Sequence, residues 1–159
     1  MKTFRKVVKR LTERNLTIAT MESCTGGGVA NAITNIEGAS SILKYSVVTY
    51  SNEFKIKCNV DSSLIYKFSV YSNEVARSMA KNIALLACAN IGVGITGKLN
   101  KPDENNNFGK DNEVFVSIYF NDTYYDLKIC VDKKTRKQNK DYVINEIITK
   151  LEELLYEED

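Results

Sequence analysis

Between residues 3 and 14 the apolar side chains Phe4, Val7, Val8 and Leu11 recur every three or four positions with Lys and Arg between them, so Thr3 to Arg14 reads as an amphipathic helix lying on a core. The pattern then changes. Leu16 to Met21 predicts a first strand, and it runs into a glycine-rich turn before Val29, Ala30 and Ile33 mark a second helix over Gly26 to Ile36, ended by Gly38-Ala39-Ser40. Tyr45 to Tyr50 is β-branched and aromatic and predicts a second strand. Asn73 to Ala89, with Ser72 as its N-cap and Val75, Met79, Ile83 and Leu86 on one stripe, predicts the next long helix. Ala89 to Thr96 follows as a short buried strand.

The remaining pattern is polar, then alternating, then helical. Gly97 to Asn112 carries Asn105-Asn106-Asn107 and mixed charge, the signature of a long exposed loop. Glu113 to Phe120 and Thr123 to Val131 flank the turn signal Asn121-Asp122 and predict an antiparallel hairpin. Val143, Ile147, Leu151, Leu154 and Leu155 place a final amphipathic helix over Asp141 to Tyr156. Alternating helices and strands with a late hairpin predict an α/β fold, a three-layer α/β/α sandwich on a mixed sheet, as one domain over residues 1–159.

Composition narrows the function classes. The chain has 159 residues, 43% of them hydrophobic, and its 22 basic and 20 acidic residues are interspersed to a net charge of +2. That balance argues against nucleic acid and anionic membrane as partners. No window approaches the roughly 18 apolar residues of a membrane span, and the basic start is followed by charged helix, so a cytoplasmic location is expected. Cys24, Cys58, Cys88 and Cys130 are far apart without a C-x-x-C pair and read as reduced thiols. No metal site and no cofactor are expected, because the chain contains no histidine and its acids lack ligand spacing.

The absence of histidine sharpens the one chemical motif, Glu22-Ser23-Cys24-Thr25-Gly26-Gly27-Gly28. A glycine-rich turn between strand and helix presents a side chain beside free N–H groups, where an anion or oxyanion is stabilised. A nucleophile there needs a lysine, tyrosine or carboxylate as its base. Lys55 is the candidate, one turn into the helix that Ser51 caps, because strand-to-helix turns gather at one edge of an open sheet and can bring it to Ser23. Tyr50 would complete a proton relay, and Cys24 reads either as a second nucleophile or as a small buried residue. The string Tyr50-Ser51-Asn52-Glu53 recurs as Tyr71-Ser72-Asn73-Glu74, which helix capping alone explains.

Five blocks in order along the chain carry a resemblance: Glu22 to Gly27, Gly38-Ala39-Ser40-Ser41, Val48 to Lys55, Val70 to Ala76, and Gly94-Ile95-Thr96-Gly97. The chain resembles the C-terminal domain of the competence/damage-inducible protein CinA, whose standalone versions are nicotinamide-nucleotide amidohydrolases. The resemblance implies hydrolysis of nicotinamide mononucleotide to nicotinate mononucleotide and ammonia, without metal, with Ser23, Tyr50 and Lys55 as the catalytic set. It further implies a substrate-binding set in which Thr25, Gly26 and Gly27 serve as backbone donors, Asn52, Thr96 and Gly97 line the pocket and Glu22 braces it, with Arg136 just before the last helix. The alternative it implies is a catalytically altered nucleotide-binding or interaction module. Family members continue after the Gly97 position with a glycine- and proline-rich loop suited to a phosphate; here Lys98 to Gly109 stands instead, with Lys98 and Lys101 as substitute charges. A pyridine nucleotide is the expected small-molecule partner, and the apolar helices and late strands leave surface for a homodimer.

Overall fold

The run that follows the first helix becomes the strand on which the site is built. The computed structural model describes residues 1–157. Its elements are α1 (Arg5–Glu13), β1 (Ile18–Glu22), α2 (Gly28–Thr34), β2 (Leu43–Val48), α3 (Asn52–Lys57), α4 (Ser62–Phe68), α5 (Asn73–Ala87), β3 (Ile91–Gly97), β4 (Glu113–Phe120), β5 (Thr123–Cys130) and α6 (Arg136–Tyr156), with a short 3-10 turn at Ala39–Ser41. The strands are ordered β2-β1-β3-β4-β5. β1 is parallel to β2 and β3, while β3, β4 and β5 are antiparallel in sequence, giving the mixed sheet and late hairpin expected above.

Side-chain alternation divides the core into two. Ile18 of β1 and Ile91, Val93 and Ile95 of β3 pack with Val7 and Leu11 of α1, Val29 and Ile33 of α2, and Val143 and Ile147 of α6. Ala19 and Met21 face the other way, onto Val75, Met79 and Ile83 of α5 with Leu64 and Ile65 of α4. The result is three layers, with all five residues of β1 buried as a central parallel strand requires. Glycine lets α5 approach β3 closely: a Cβ on Gly94 would lie 2.3 Å from the Ala76 carbonyl oxygen. Among the described residues no helix is long and apolar enough to cross a membrane.

Several boundaries move, each for a local reason. α2 begins at Gly28 because Gly26 and Gly27 sit at φ +61° and +91° and form a turn. β2 ends at Val48, so Tyr50 has already left the sheet for the site. α6 begins at Arg136, five residues before the Asp141 expected from apolar spacing. A Thr135–Gln138 capping box starts it, and its polar first turn hid it from a hydrophobic count. Arg136 therefore belongs to the last helix rather than preceding it. α4 had no sequence counterpart because none of its residues is buried; Asp61 Oδ1 caps it by accepting Ser63 N–H at 2.9 Å.

Candidate active site

The turn after β1 is held from below by a carboxylate. Ser23 N–H donates to the Ile95 carbonyl at 3.1 Å, Gly26 N–H to the Ser23 carbonyl at 2.9 Å, and Gly28 N–H to the Thr25 carbonyl at 2.9 Å. The last of these closes over Gly26 and Gly27, two central residues of left-handed φ that favour glycine. Glu22 is fully buried at the end of β1. Its Oε1 accepts Thr25 Oγ1 at 2.7 Å and Val29 N–H at 2.9 Å, and its Oε2 accepts Ala30 N–H at 2.9 Å. This corrects the sequence expectation: the N–H groups at the start of α2 are occupied by Glu22 and do not await an anionic ligand.

The turn after β2 supplies a buried lysine. Thr49 N–H continues the ladder to the Glu22 carbonyl at 2.8 Å, and Ser51 Oγ caps α3 by accepting Phe54 N–H at 3.2 Å. One helical turn on, Lys55 points back into the molecule and is only 2% exposed. Its Nζ lies 3.1 Å from Ser23 Oγ and donates to the Thr49 carbonyl at 2.7 Å. Burial pulls the lysine from 10.5 down to about 8, against the upward pull of its interactions with Cys24 and with the Asp103 carboxylate. Cys24 has the opposite fate. Burial pushes its thiol up to about 12, beyond what Lys55 and Arg136 offset, which leaves a protonated sulfur beside the serine.

A cavity of about 430 Å³ opens over this pair. Ser23, Tyr50, Asn52, Gly97 and Arg136 line it, with Cys24, Tyr71, Lys98, Lys101, Asp103 and Asn106. Lys55 stands behind Ser23. The fold does not bring the other expected contacts to the cavity wall. The hydroxyl of Thr25 is taken by Glu22, and that of Thr96 donates to the Val70 carbonyl at 3.0 Å, so both act inside the scaffold. Gly26 and Gly27 are set back in the turn, where a Cβ on Gly26 would lie 3.3 Å from Lys140 Nζ. Tyr50 lines the mouth at 62% exposure, and its hydroxyl accepts from Arg136 Nη2 at 3.4 Å rather than bonding Lys55.

Tyr71 and Asp103 complete the far wall, and the sequence reading missed both. The Tyr71 hydroxyl donates to Asp103 Oδ2 in a short hydrogen bond. Asp103 Oδ1 accepts Asn105 N–H at 2.9 Å, Asn106 Nδ2 donates to Oδ2 at 3.3 Å, and Asn106 Oδ1 accepts Asn52 Nδ2 at 3.0 Å. Burial and the Asp103 bond both raise the Tyr71 phenol well above its ordinary 10. The recurring Tyr-Ser-Asn-Glu string was the available signal. Ser51 and Ser72 each cap a helix, Ser72 Oγ accepting Val75 N–H at 3.2 Å, and the tyrosine before each cap lines the cavity. Lys98, expected on an exposed loop, is buried: Nζ sits 5.0 Å over the Tyr71 ring and 3.4 Å from Asp111.

Comparisons with known proteins agree with this architecture. A "CinA-like protein" from Flavobacterium psychrophilum is 41% identical over 113 residues, covering 69% of this chain and 26% of the relative. A "putative competence-damage inducible protein" from Clostridium botulinum (strain 657 / Type Ba4) is 36% identical over 145 residues, covering 91% of this chain and 34% of the relative. The chain thus spans about a third or less of these relatives' length. Solved structures share the fold: a competence-damaged protein (CinA) superfamily protein from Klebsiella pneumoniae superposes with TM-score 0.87 at 23% identity over 95% of this chain and 94% of that one. The competence/damage inducible protein from Agrobacterium tumefaciens does so with TM-score 0.80 at 25% identity, over 95% and 90%. Residues 2–155 match the model of the CinA C-terminal domain, and the chain belongs to that family.

Proposed function

We propose that the chain is a serine amidohydrolase that converts nicotinamide mononucleotide to nicotinate mononucleotide and ammonia. The observation that carries this reading is the 3.1 Å approach of a buried lysine amine to Ser23 Oγ at the floor of a polar cavity. The Thr49 carbonyl holds one N–H of Lys55 and leaves the amine facing the serine. In its neutral form the amine takes the Ser23 proton as Oγ attacks the carboxamide carbon, and the N–H groups of Cys24 and Thr25, which the bonds holding the turn do not use, receive the negative charge on oxygen. The tetrahedral adduct then collapses. Its C–N bond breaks, the leaving nitrogen takes the proton from Lys55, and ammonia departs from a Ser23 ester. Water gives a proton to Lys55 and attacks the ester, which releases the carboxylate and returns the proton to Ser23.

The pyridine nucleotide comes from the family resemblance, and the cavity supports it with Tyr50 and Tyr71 as aromatic surface and Lys98, Lys101 and Arg136 as cations. The second reading, a nucleotide-binding module without turnover, is favoured by the Tyr50 hydroxyl bonding Arg136 instead of the Ser–Lys pair. Ammonia release from nicotinamide mononucleotide, with the acid product identified by mass, separates the two readings. Release that collapses in Ser23→Ala and Lys55→Ala is the expected result. Binding without release above the Ser23→Ala background would overturn the hydrolase and leave the module.

A further inference from the structure

The cavity is electrically two-sided. Its lining includes three cations, Lys98, Lys101 and Arg136, and a single carboxylate, Asp103. Asp103 is fixed by donors that carry no charge, the Tyr71 hydroxyl, the Asn105 N–H and the Asn106 amide. It therefore keeps its full negative charge beside an aromatic ring. Lys98 lies close enough to favour that charge, but its ammonium is turned to Asp111 and to the face of Tyr71. An amide gains a hydrogen bond from such a carboxylate whatever the charge of the ring that carries it, and a neutral ring gains only the tyrosine surface, whereas a planar ring bearing positive charge gains the attraction of the carboxylate as well.

We infer that Asp103 and Tyr71 form a subsite for a cationic aromatic ring, so that the cavity selects a zwitterionic substrate whose ring is positive and whose tail is anionic. The inference rests on the amidohydrolase reading of the same site and adds its basis of selection. A substituted pyridinium nucleotide satisfies it, and the 1,4-dihydro form of the same nucleotide, neutral in the ring and identical in the tail, does not. Asp103 is thus a specificity-determining residue supplied by the loop that replaces the family's glycine-rich segment. Its charge also reaches Lys55, whose other neighbours are Cys24, Ser23 and the Thr49 carbonyl. Removing the charge therefore lowers the pH at which the lysine becomes a free base, and the acid limb of the pH–rate profile moves down with it.

The test compares kcat/KM for nicotinamide mononucleotide and its dihydro form in wild type, Asp103→Asn and Asp103→Glu, alongside binding of both nucleotides to Ser23→Ala and to Ser23→Ala/Asp103→Asn. The expected result is an oxidised-to-reduced preference that falls about tenfold in D103N, the scale of one partly screened charge contact, is retained in D103E, and is accompanied by a lower acid limb in D103N. An unchanged ratio in folded D103N, with ammonia still released, would overturn the subsite and leave the hydrolase standing. Ring-charge preference in binding without ammonia release supports the subsite and overturns the hydrolase. Failure of both nucleotides to bind would overturn both.

Discussion

Ser23 follows β1 and Lys55 lies one turn into the helix that follows the adjacent parallel strand β2, both buried and tied to backbone carbonyls and N–H groups that continue the sheet. Across the cavity, Asp103 and Asn106 sit on a polar loop held by side-chain hydrogen bonds to Tyr71 and Asn52. The near wall places its groups through the fold's main ladder, so its geometry is set together with the core. The far wall depends on a few replaceable side chains. The serine–lysine pair and the polar loop are thus on separate structural supports, and one can change while the other stays.

The comparison breaks most severely at Lys55. Lys55→Met is expected to lower ammonia release by about a thousandfold or more, while stabilising the fold below pH 8 by about 3 kcal/mol, since an amine with its pKa drawn from 10.5 to about 8 is a buried liability when charged. The sign follows from proton binding. Between pH 8 and 10.5 the unfolded chain binds more protons at this lysine, so wild-type stability rises with pH there and the advantage of K55M shrinks. Cys24, raised from 9 to about 12, acts in the opposite sense above pH 9. Denaturant midpoints of the two proteins measured from pH 7 to 10 isolate the lysine by difference.

Glu22→Ala comes next. It leaves the N–H groups of Val29 and Ala30 without their acceptor and should cost about 3 kcal/mol in chemical denaturation. Gly27→Ala should cost about 1 to 2 kcal/mol, from positive φ alone, because a Cβ there meets only Val48 at an ordinary 3.5 Å. On the far wall Asn106→Ala should change the melting free energy by less than about 1 kcal/mol while weakening nucleotide binding. A far-wall variant that unfolded the protein as readily as E22A would erase the distinction between the walls.

How much of this was legible in the sequence follows the same division. Period-2 and period-3.6 patterning located the strands and most helices, because burial on a sheet imposes those periods, and the motif around Ser23 with the capped Lys55 predicted the pair that meets. Polar segments were opaque. The first turn of α6 and all of α4 lack buried apolar residues, so their capping residues were the only signals. Glu22 is expected to brace the pocket, and the structure shows how: its carboxylate is turned to the start of α2. Tyr71 is visible as half of a recurring string that helix capping alone explains, and nothing in the string points to its partner Asp103, 32 residues on.

If Lys55 makes Ser23 nucleophilic, the rate at which a fluorophosphonate modifies the protein follows the lysine's titration, with the adduct located by peptide mass spectrometry. The expected result is an adduct on Ser23, forming faster as pH rises through a midpoint near 8 and lost in Lys55→Met. Modification of Cys24 in place of Ser23, or a Ser23 rate indifferent to Lys55→Met, would contradict it.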